Sequence, residues 1–232
     1  TGSGTGKAYS YSVNTTAGFS IVKFIGNGTA GHTIPHHLGV KADFVIIKGL
    51  DTDGRKWSVG SSGLGWTKEL FLDATDAQNT ATAPWNDTAP SSTVVTLGTG
   101  SNGNTNNENY IMYAFSTKTG YSKFGSYTGN GNADGTFVYT GFKPAFLIIK
   151  KTNATKNWFL HDDKRLGYNP SNSYVNPNLS AVEYAGTDLD IVSNGFKMRS
   201  TGGGHNENSH TYIYMAIGQS IVGSNNIPAT AR

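Results

Sequence analysis

The chain has 232 residues, a length that fits one large all-β domain or two domains of about a hundred residues each. Gly, Thr, Asn and Ser account for about 43% of it, a share typical of linkers, but aromatic residues make up 12%. Disordered chains lack that much ring surface to bury, and the glycines show no three-residue period, so disorder and collagen are both excluded. The composition predicts many short strands separated by turns.

The charged residues are few and evenly mixed. Eighteen basic and 15 acidic residues give a net charge of +3 without any run of like sign, which argues against a nucleic-acid partner. No stretch approaches the length of apolar residues that spans a membrane. The absence of cysteine removes disulfides, thiolate metal sites and cysteine nucleophiles, and no cofactor is expected.

The first residues predict a leader. Gly2–Ala8 imitates a phosphate-binding loop, but Thr1 and Ala8 stand where that motif needs a glycine and a hydroxyl. Because the chain also begins without methionine, we expect a processed chain or a piece of a longer product. Residues 1–17 are therefore predicted to be a leader or a connection to an upstream region.

The strongest signal is an internal repeat with a spacing of about 102 residues. Segments that begin at Gly18 and Gly120 read alike, and the same spacing relates the segments 41–48 and 143–150, Trp57 and Trp158, and Tyr110 and Tyr212. The repeat predicts an all-β fold of two tandem antiparallel β-sandwich domains related by internal duplication, with six to eight strands each. A single fused sandwich is the alternative. The predicted domains are 18–119 and 120–221, followed by a C-terminal tail over 222–232.

Apolar runs and turn residues predict the elements within each repeat. Buried strands are expected over 44–47, 110–115, 146–149 and 212–217. Hairpin turns are expected over 26–28, 51–54, 129–131 and 153–156. Gly125 is interpreted as a β-bulge that absorbs one extra residue in the second repeat. Helix is limited to one or two short turns in the segments 60–92 and 162–187.

Three histidines, His32, His36 and His37, suggest a metal site, but Pro35 prevents the helix on which such ligands often sit. Strand and turn histidines are the favoured interpretation, and a local metal or pH-sensitive contact remains the alternative.

The sequence contains no complete catalytic or calcium-binding motif. The loop that begins at Asp51 lacks the acidic residue a calcium loop needs at its twelfth position, which is Ser62. His161 and Asp162 are adjacent, and neighbours on a strand point to opposite faces. The chain is therefore predicted not to be an enzyme, and neither a catalytic residue nor a metal ligand is proposed.

Four aromatic residues are candidates for binding glycans, because rings stack on sugar faces. Trp66 and Tyr168 occupy equivalent places in the two repeats, which favours a packing role. Trp85 and Tyr174 are not shared and lie among amide side chains that could bond hydroxyls. The sequence leaves packing and sugar binding open for all four.

The repeated motifs closely resemble a family of bacteriophage proteins common in marine and environmental phages, described as tail fibre or virion structural proteins. The resemblance rests on GFSIVKFIGNGTAGHTIPHHLG (18–39), on the segment 110–146, and on LDIVSNGFKMRS and TYIYMAIG near the end. It covers the chain from about Gly18 to its last residue.

The resemblance implies a virion appendage outside the cell that contacts the host surface. Its expected partners are other virion proteins, a host glycan or receptor, and further copies of itself, with a homotrimer among the forms implied. The alternatives are a dedicated glycan-binding module, a polysaccharide-degrading enzyme, and a non-viral extracellular filament or surface-layer protein.

Overall fold

The structure is a computed structural model that describes residues 6–165, 169 and 173–219. Antiparallel strands dominate these residues, and the all-β class predicted from the sequence is confirmed. In chain order the elements are β1 (Tyr9–Asn14), β2 (Phe19–Ile25), β3 (His32–Pro35), β4 (Phe44–Gly49), β5 (Ser58–Ser61), β6 (Lys68–Phe71), β7 (Asn79–Thr80), α1 (Thr82–Trp85), β8 (Val94–Leu97), β9 (Asn109–Phe115), β10 (Ser122–Thr128), β11 (Phe137–Tyr139), β12 (Pro144–Lys151), β13 (Trp158–Asp162), β14 (Tyr174–Val175), β15 (Leu189–Val192), β16 (Gly195–Met198) and β17 (Thr211–Gly218).

The chain divides into two compact units between Thr117 and Lys118. The first unit has a seven-stranded sheet in the order β1-β2-β9-β4-β5-β6-β7 and a two-stranded sheet of β3 and β8. Apolar side chains of β2, β4 and β9 pack against those of β3 and β8, with Trp85 in the same core. Burial of these side chains between two sheets is the main stabilising term for such a unit.

The second unit repeats this plan. Its five-stranded sheet has the order β10-β17-β12-β13-β14, and a three-stranded sheet of β11, β16 and β15 closes its core. The order β10-β17-β12-β13 corresponds to β2-β9-β4-β5 of the first unit, so each central strand has a partner at the same place. This correspondence of strand order lets the two units be compared residue by residue, and the duplication itself stays a prediction from the sequence.

Two of the predicted hairpin turns are present, and two segments have another role. Residues 51–54 join the antiparallel strands β4 and β5, and 153–156 join β12 and β13. The segments 26–28 and 129–131 instead carry the chain from the larger sheet to the smaller one. The next strand, β3 or β11, pairs with β8 or β16 and not with the strand just left. Turn residues specify the local backbone, but they do not specify the partner of the following strand.

The pairing of the strands corrects or refines three further expectations. Residues 9–14, within the predicted leader, form β1 and pair with β2 over their whole length. Gly125 is not a bulge, because β10 pairs with β17 without a shift of register. The extra residue lies before β10, and the glycine gives space to the ring of Tyr214. Within residues 6–165, 169 and 173–219, the one helix is the single turn α1, inside the predicted segment 60–92.

A buried asparagine occupies the same place in each unit and fixes the crossing segment. The Oδ1 of Asn104 accepts the backbone N–H of Asn27 at 2.9 Å, and the Oδ1 of Asn206 accepts that of Asn130 at 3.0 Å. The Nδ2 of Asn206 donates to Asn132 O at 2.8 Å and to Ser200 O at 3.0 Å. Because both side chains are buried, these bonds replace water for backbone groups that have left the sheet.

Among the described residues, no helix is long and apolar enough to cross a membrane.

Candidate functional site: a pocket in the first unit

A pocket of about 420 Å³ opens beside the core of the first unit. It is formed by the inner side of β4, β5 and β6, by the turn around α1 and by the loop that leads to β9. Its lining residues are Ile47, Ser58, Glu69, Asn79, Ala81, Ala83, Pro84, Trp85, Thr99, Gly100, Ser101, Asn102 and Gly103. We call this cavity the first-unit pocket.

The helical turn α1 sets one wall of the pocket. Its C-cap is Asn86, whose φ of 50° is left-handed and whose N–H donates to Thr82 O. The loop 98–103 is held to the same turn, because the N–H of Gly100 donates to Ala83 O at 2.8 Å. The indole of Trp85 is 1% exposed, and Gly60 on β5 leaves room for its ring. Two backbone segments that flank β8 in the sequence therefore form one continuous wall.

An acidic group lies on the opposite side. Glu69 on β6 is buried and pairs in register with Asn79 on β7, whose side chain also bonds to it. Burial raises the pKa of Glu69, while the bond from Asn79 and the charge of Lys56 act in the opposite direction. Lys56 itself is held by Asp76, with 3.0 Å between Nζ and Oδ2. The carboxyl is thus poorly solvated and faces a cavity lined by polar groups.

Two buried polar atoms in the lining residues have no hydrogen-bond partner within the described part of the chain. They are the Oγ of Ser58 and the Nε1 of Trp85. An unsatisfied buried donor or acceptor costs about 1–3 kcal/mol. Both atoms have almost no accessible surface, so they belong to the interior of the wall and not to its open side.

The second unit closes the equivalent position with rings. Ser58 pairs with Ile47 in the first unit, and Phe159 pairs with Ile149 in the second. Gly103 and His205 are also equivalent, since each N–H bonds to the glycine oxygen three residues earlier. The rings of Phe159 and His205 lie 4.2 Å apart, centroid to centroid. Larger side chains therefore fill in the second unit the space that Ser58 and Gly103 leave in the first.

A pair of histidines lies within this filled position. The Nε2 atoms of His161 and His205 are 2.9 Å apart, and both rings are buried. One nitrogen must donate and the other accept, so at least one ring is neutral. The Nδ1 of His205 lies 3.6 Å from Asp188 Oδ1, which favours a proton on that nitrogen. His161 then donates through Nε2, and its Nδ1 is a buried acceptor without a partner.

Burial controls the charge of this pair. Loss of solvation lowers the pKa of His205 to about 3 and lowers that of His161 well below 6.5, with the neighbouring ring acting in the same direction on His161. Both rings are therefore neutral at pH 7.

Comparison with known proteins gives a family. The sequence profile of a domain of unknown function, DUF7483, matches residues 3–220. This chain belongs to the DUF7483 family. A search of the curated proteins found no match, and a search of the solved structures found none either.

The structure brings one of the predicted glycan-binding residues of this DUF7483 chain, Trp85, to the pocket, and a second, Trp66, lies beside it. Trp66 packs edge-on against Trp85, with ring centroids 5.6 Å apart. Trp85 lines the pocket, but its ring is buried and has no open face on which a sugar could stack. Trp85 therefore serves as part of the wall.

The other two predicted glycan-binding residues do not join these. Tyr174 is half-buried and lies beside the histidine pair of the second unit, stacked on Tyr184 at 5.4 Å. Tyr168 lies outside the described residues. Sugar binding by these two tyrosines stays a prediction.

The three clustered histidines have separate partners. His32 Nδ1 bonds to Asn104 Oδ1 at 2.9 Å, His36 Nε2 to Ser91 O at 3.2 Å, and the His37 ring stacks on Tyr11 at 3.7 Å. Burial lowers the pKa of both His32 and His36. In the part of the chain that the structure describes, no group of three or more His, Asp or Glu is arranged to hold a metal ion.

Sequence reasoning missed Ser58, Glu69 and Gly103. A usable signal exists, because the repeats differ at Ser58 and Phe159 and at Gly103 and His205. Shared positions report on the scaffold, whereas a small residue opposite a large one marks a place where one copy has space.

Proposed function

We propose that this chain is a structural protein of a bacteriophage virion, a tail fibre or similar appendage that contacts the host surface. The observation that carries the proposal is the close resemblance of the long repeated motifs to phage virion proteins. Family membership is compatible with this role, because the DUF7483 description assigns no activity.

The architecture supports an exposed, assembled role. Antiparallel sheets with short turns and few charges form the described part of the chain, and its core is closed without disulfides. Such β-rich units suit fibres, because sheet and core packing alone keep each unit folded outside the cell.

One edge of the first unit supports self-association. β1 is the outer strand of its sheet, and Tyr9 and Tyr11 on it are 42% and 52% exposed. Exposed sheet edges with apolar side chains are common places for contact between chains. If copies meet at this edge, light scattering on the purified chain gives an oligomeric mass that Tyr11→Lys reduces. A monomeric mass at all concentrations contradicts self-association of the isolated chain.

A second candidate function, a glycan-binding module, is favoured by the first-unit pocket. It is compatible with the first, since the tip of a fibre can bind sugars.

The virion proposal is tested by asking whether the chain is part of a particle. Antibodies raised against the chain are used to probe gradient-purified phage from a host culture whose lysate contains this sequence. We expect the antigen to sediment with infectious particles and to stay with them through high salt. Antigen found only in cells, or only in filaments free of phage, overturns the proposal and favours the extracellular filament.

A further inference from the structure

We propose that the first-unit pocket binds a neutral, hydroxylated ligand, a single sugar residue that is either free or at the end of a polysaccharide. The claim concerns the isolated chain and does not depend on the virion proposal, so the two can fail separately.

The polar side chains of the lining define the chemistry of the ligand. Thr99, Ser101 and Asn102 lie on the loop that leads to β9, and Glu69 and Asn79 lie on β6 and β7. Hydroxyl and amide groups both donate and accept hydrogen bonds, and a carboxylate accepts them. A sugar hydroxyl also donates and accepts, and one ring presents several of them to surrounding groups.

The charge on the lining selects against anions. Glu69 is the one ionisable residue among those lining the pocket, and no Lys or Arg is found among these described residues. The charge of Lys56 acts on Glu69, but Lys56 is already paired with Asp76. A phosphate, a sulfate or an acidic sugar would meet a carboxyl without a compensating cation. A carboxyl accepts hydrogen bonds from hydroxyls, so a neutral sugar suits it.

The size and the apolar part of the wall also fit. A volume of about 420 Å³ lies within the range of about 300–1,000 Å³ that small-molecule sites occupy. Ile47, Ala83 and Pro84 give the pocket an apolar side against which the C–H groups of a sugar ring can pack. Polar groups on one side and apolar groups on the other match the two kinds of surface on a sugar.

The second unit shows that the fold does not require the opening. The same scaffold accommodates Phe159 and His205 at the positions of Ser58 and Gly103. The fold should therefore tolerate larger side chains in the first-unit pocket, because it accommodates them at the equivalent place in the second unit. A Cβ added at Gly103 meets only the side chain of Ile47, at 3.9 Å, so the backbone there accepts a larger residue.

The test is a titration of the full chain with two groups of ligands. The first group contains neutral monosaccharides (glucose, galactose, mannose, rhamnose and N-acetylglucosamine), with glucuronic and sialic acid as acidic counterparts. The second contains neutral polysaccharides, a glucan and a mannan. Calorimetry measures the affinity, and the indole N–H resonance of Trp85, assigned from Trp85→Phe, reports whether the ligand reaches the pocket.

We expect at least one neutral sugar to bind saturably, to shift the Trp85 resonance and to bind better than its acidic counterpart. Gly103→His should weaken binding by at least about tenfold, and Ser101→Ala by about fivefold through loss of one hydrogen bond. Val182→Ala is the control, because Val182 is 82% exposed in the second unit. Binding by polysaccharide but not by monosaccharide still supports the site and assigns it to chain ends.

The proposal is overturned if no sugar shifts the Trp85 resonance, if acidic sugars bind best, or if the variants at the pocket bind as the wild type does. Glu69→Gln keeps the test decisive if Gly103→His does not fold. This change preserves shape and removes the charge, so it should raise the affinity for glucuronic acid relative to glucose. An unchanged ratio counts against the assignment of Glu69 to the site.

Discussion

The histidine pair of the second unit makes folding stability depend on pH in a calculable way. The perturbation is a decrease from about pH 8 to about pH 5. The folded-state pKa of His205 is about 3, whereas its unfolded value is 6.5. Between these values the unfolded chain binds a proton that the folded chain does not, so stability is full above 6.5 and is lost as the pH falls.

The magnitude follows from the separation of pH 5 from the unfolded pKa. One histidine that stays neutral in the folded state loses about 2 kcal/mol of stability over this interval. His161 acts in the same direction, because its pKa is also lowered by burial. Domains of this size are stabilised by about 5–15 kcal/mol, so a loss of this kind should be easily measured.

The assay is urea unfolding at several pH values, followed by tryptophan fluorescence and by the NMR signals of the second unit. His205→Phe removes one titrating ring and should reduce the dependence on pH by about 2 kcal/mol over the interval. Its stability at pH 8 should also fall, because His161 loses its partner. A midpoint near 6.5 for the His205 ring in an NMR titration, or equal slopes for wild type and variant, would refute the reasoning.

Three further changes test the scaffold, each by urea unfolding at pH 7. Asn206→Ala leaves several buried backbone groups without their partner and should cost about 3 kcal/mol, and a loss under about 1 kcal/mol contradicts its role at the crossing segment. Gly129→Ala places a Cβ against a backbone carbonyl and should cost about 2 kcal/mol, whereas Gly6→Ala, which meets nothing within 4 Å, should be nearly neutral. Arg55→Ala removes the partner of buried Glu108, with 2.8 Å between Nη2 and Oε2, and should cost about 2 kcal/mol. Because the Arg55 bond lowers the pKa of Glu108, it adds stability above pH 4.5, so the deficit of this variant should shrink in acid.

Strand content could be predicted from the sequence because it depends on local patterns. The apolar run from Phe44 to Ile47 is flanked by turn residues, and it forms β4 with Phe44, Val45 and Ile47 buried. The role of Gly26–Gly28 could not be predicted, because a turn motif says nothing about which sheet receives the next strand. Its partner, Asn104, is 77 residues away from Asn27.

The pocket was harder to predict, since it results from small residues, Ser58 and Gly103, at positions where the second repeat has the larger Phe159 and His205. Ser58 and Gly103 have no chemical motif, and they meet only because β5 and the loop before β9 flank the same core. Trp85 attracted attention as an aromatic residue among amides, but its indole is buried and only its N–H lacks a partner. Ring type is visible in sequence, whereas exposure depends on the tertiary structure.

The central claim, that this chain belongs to a phage appendage, is tested most directly by an image of the particle. Gold-labelled antibodies against the chain are applied to purified phage and viewed by electron microscopy. We expect gold at a fixed, symmetry-related position on fibres that project from the virion. Gold on bacterial filaments or cell surfaces, with unlabelled virions in the same field, would contradict it.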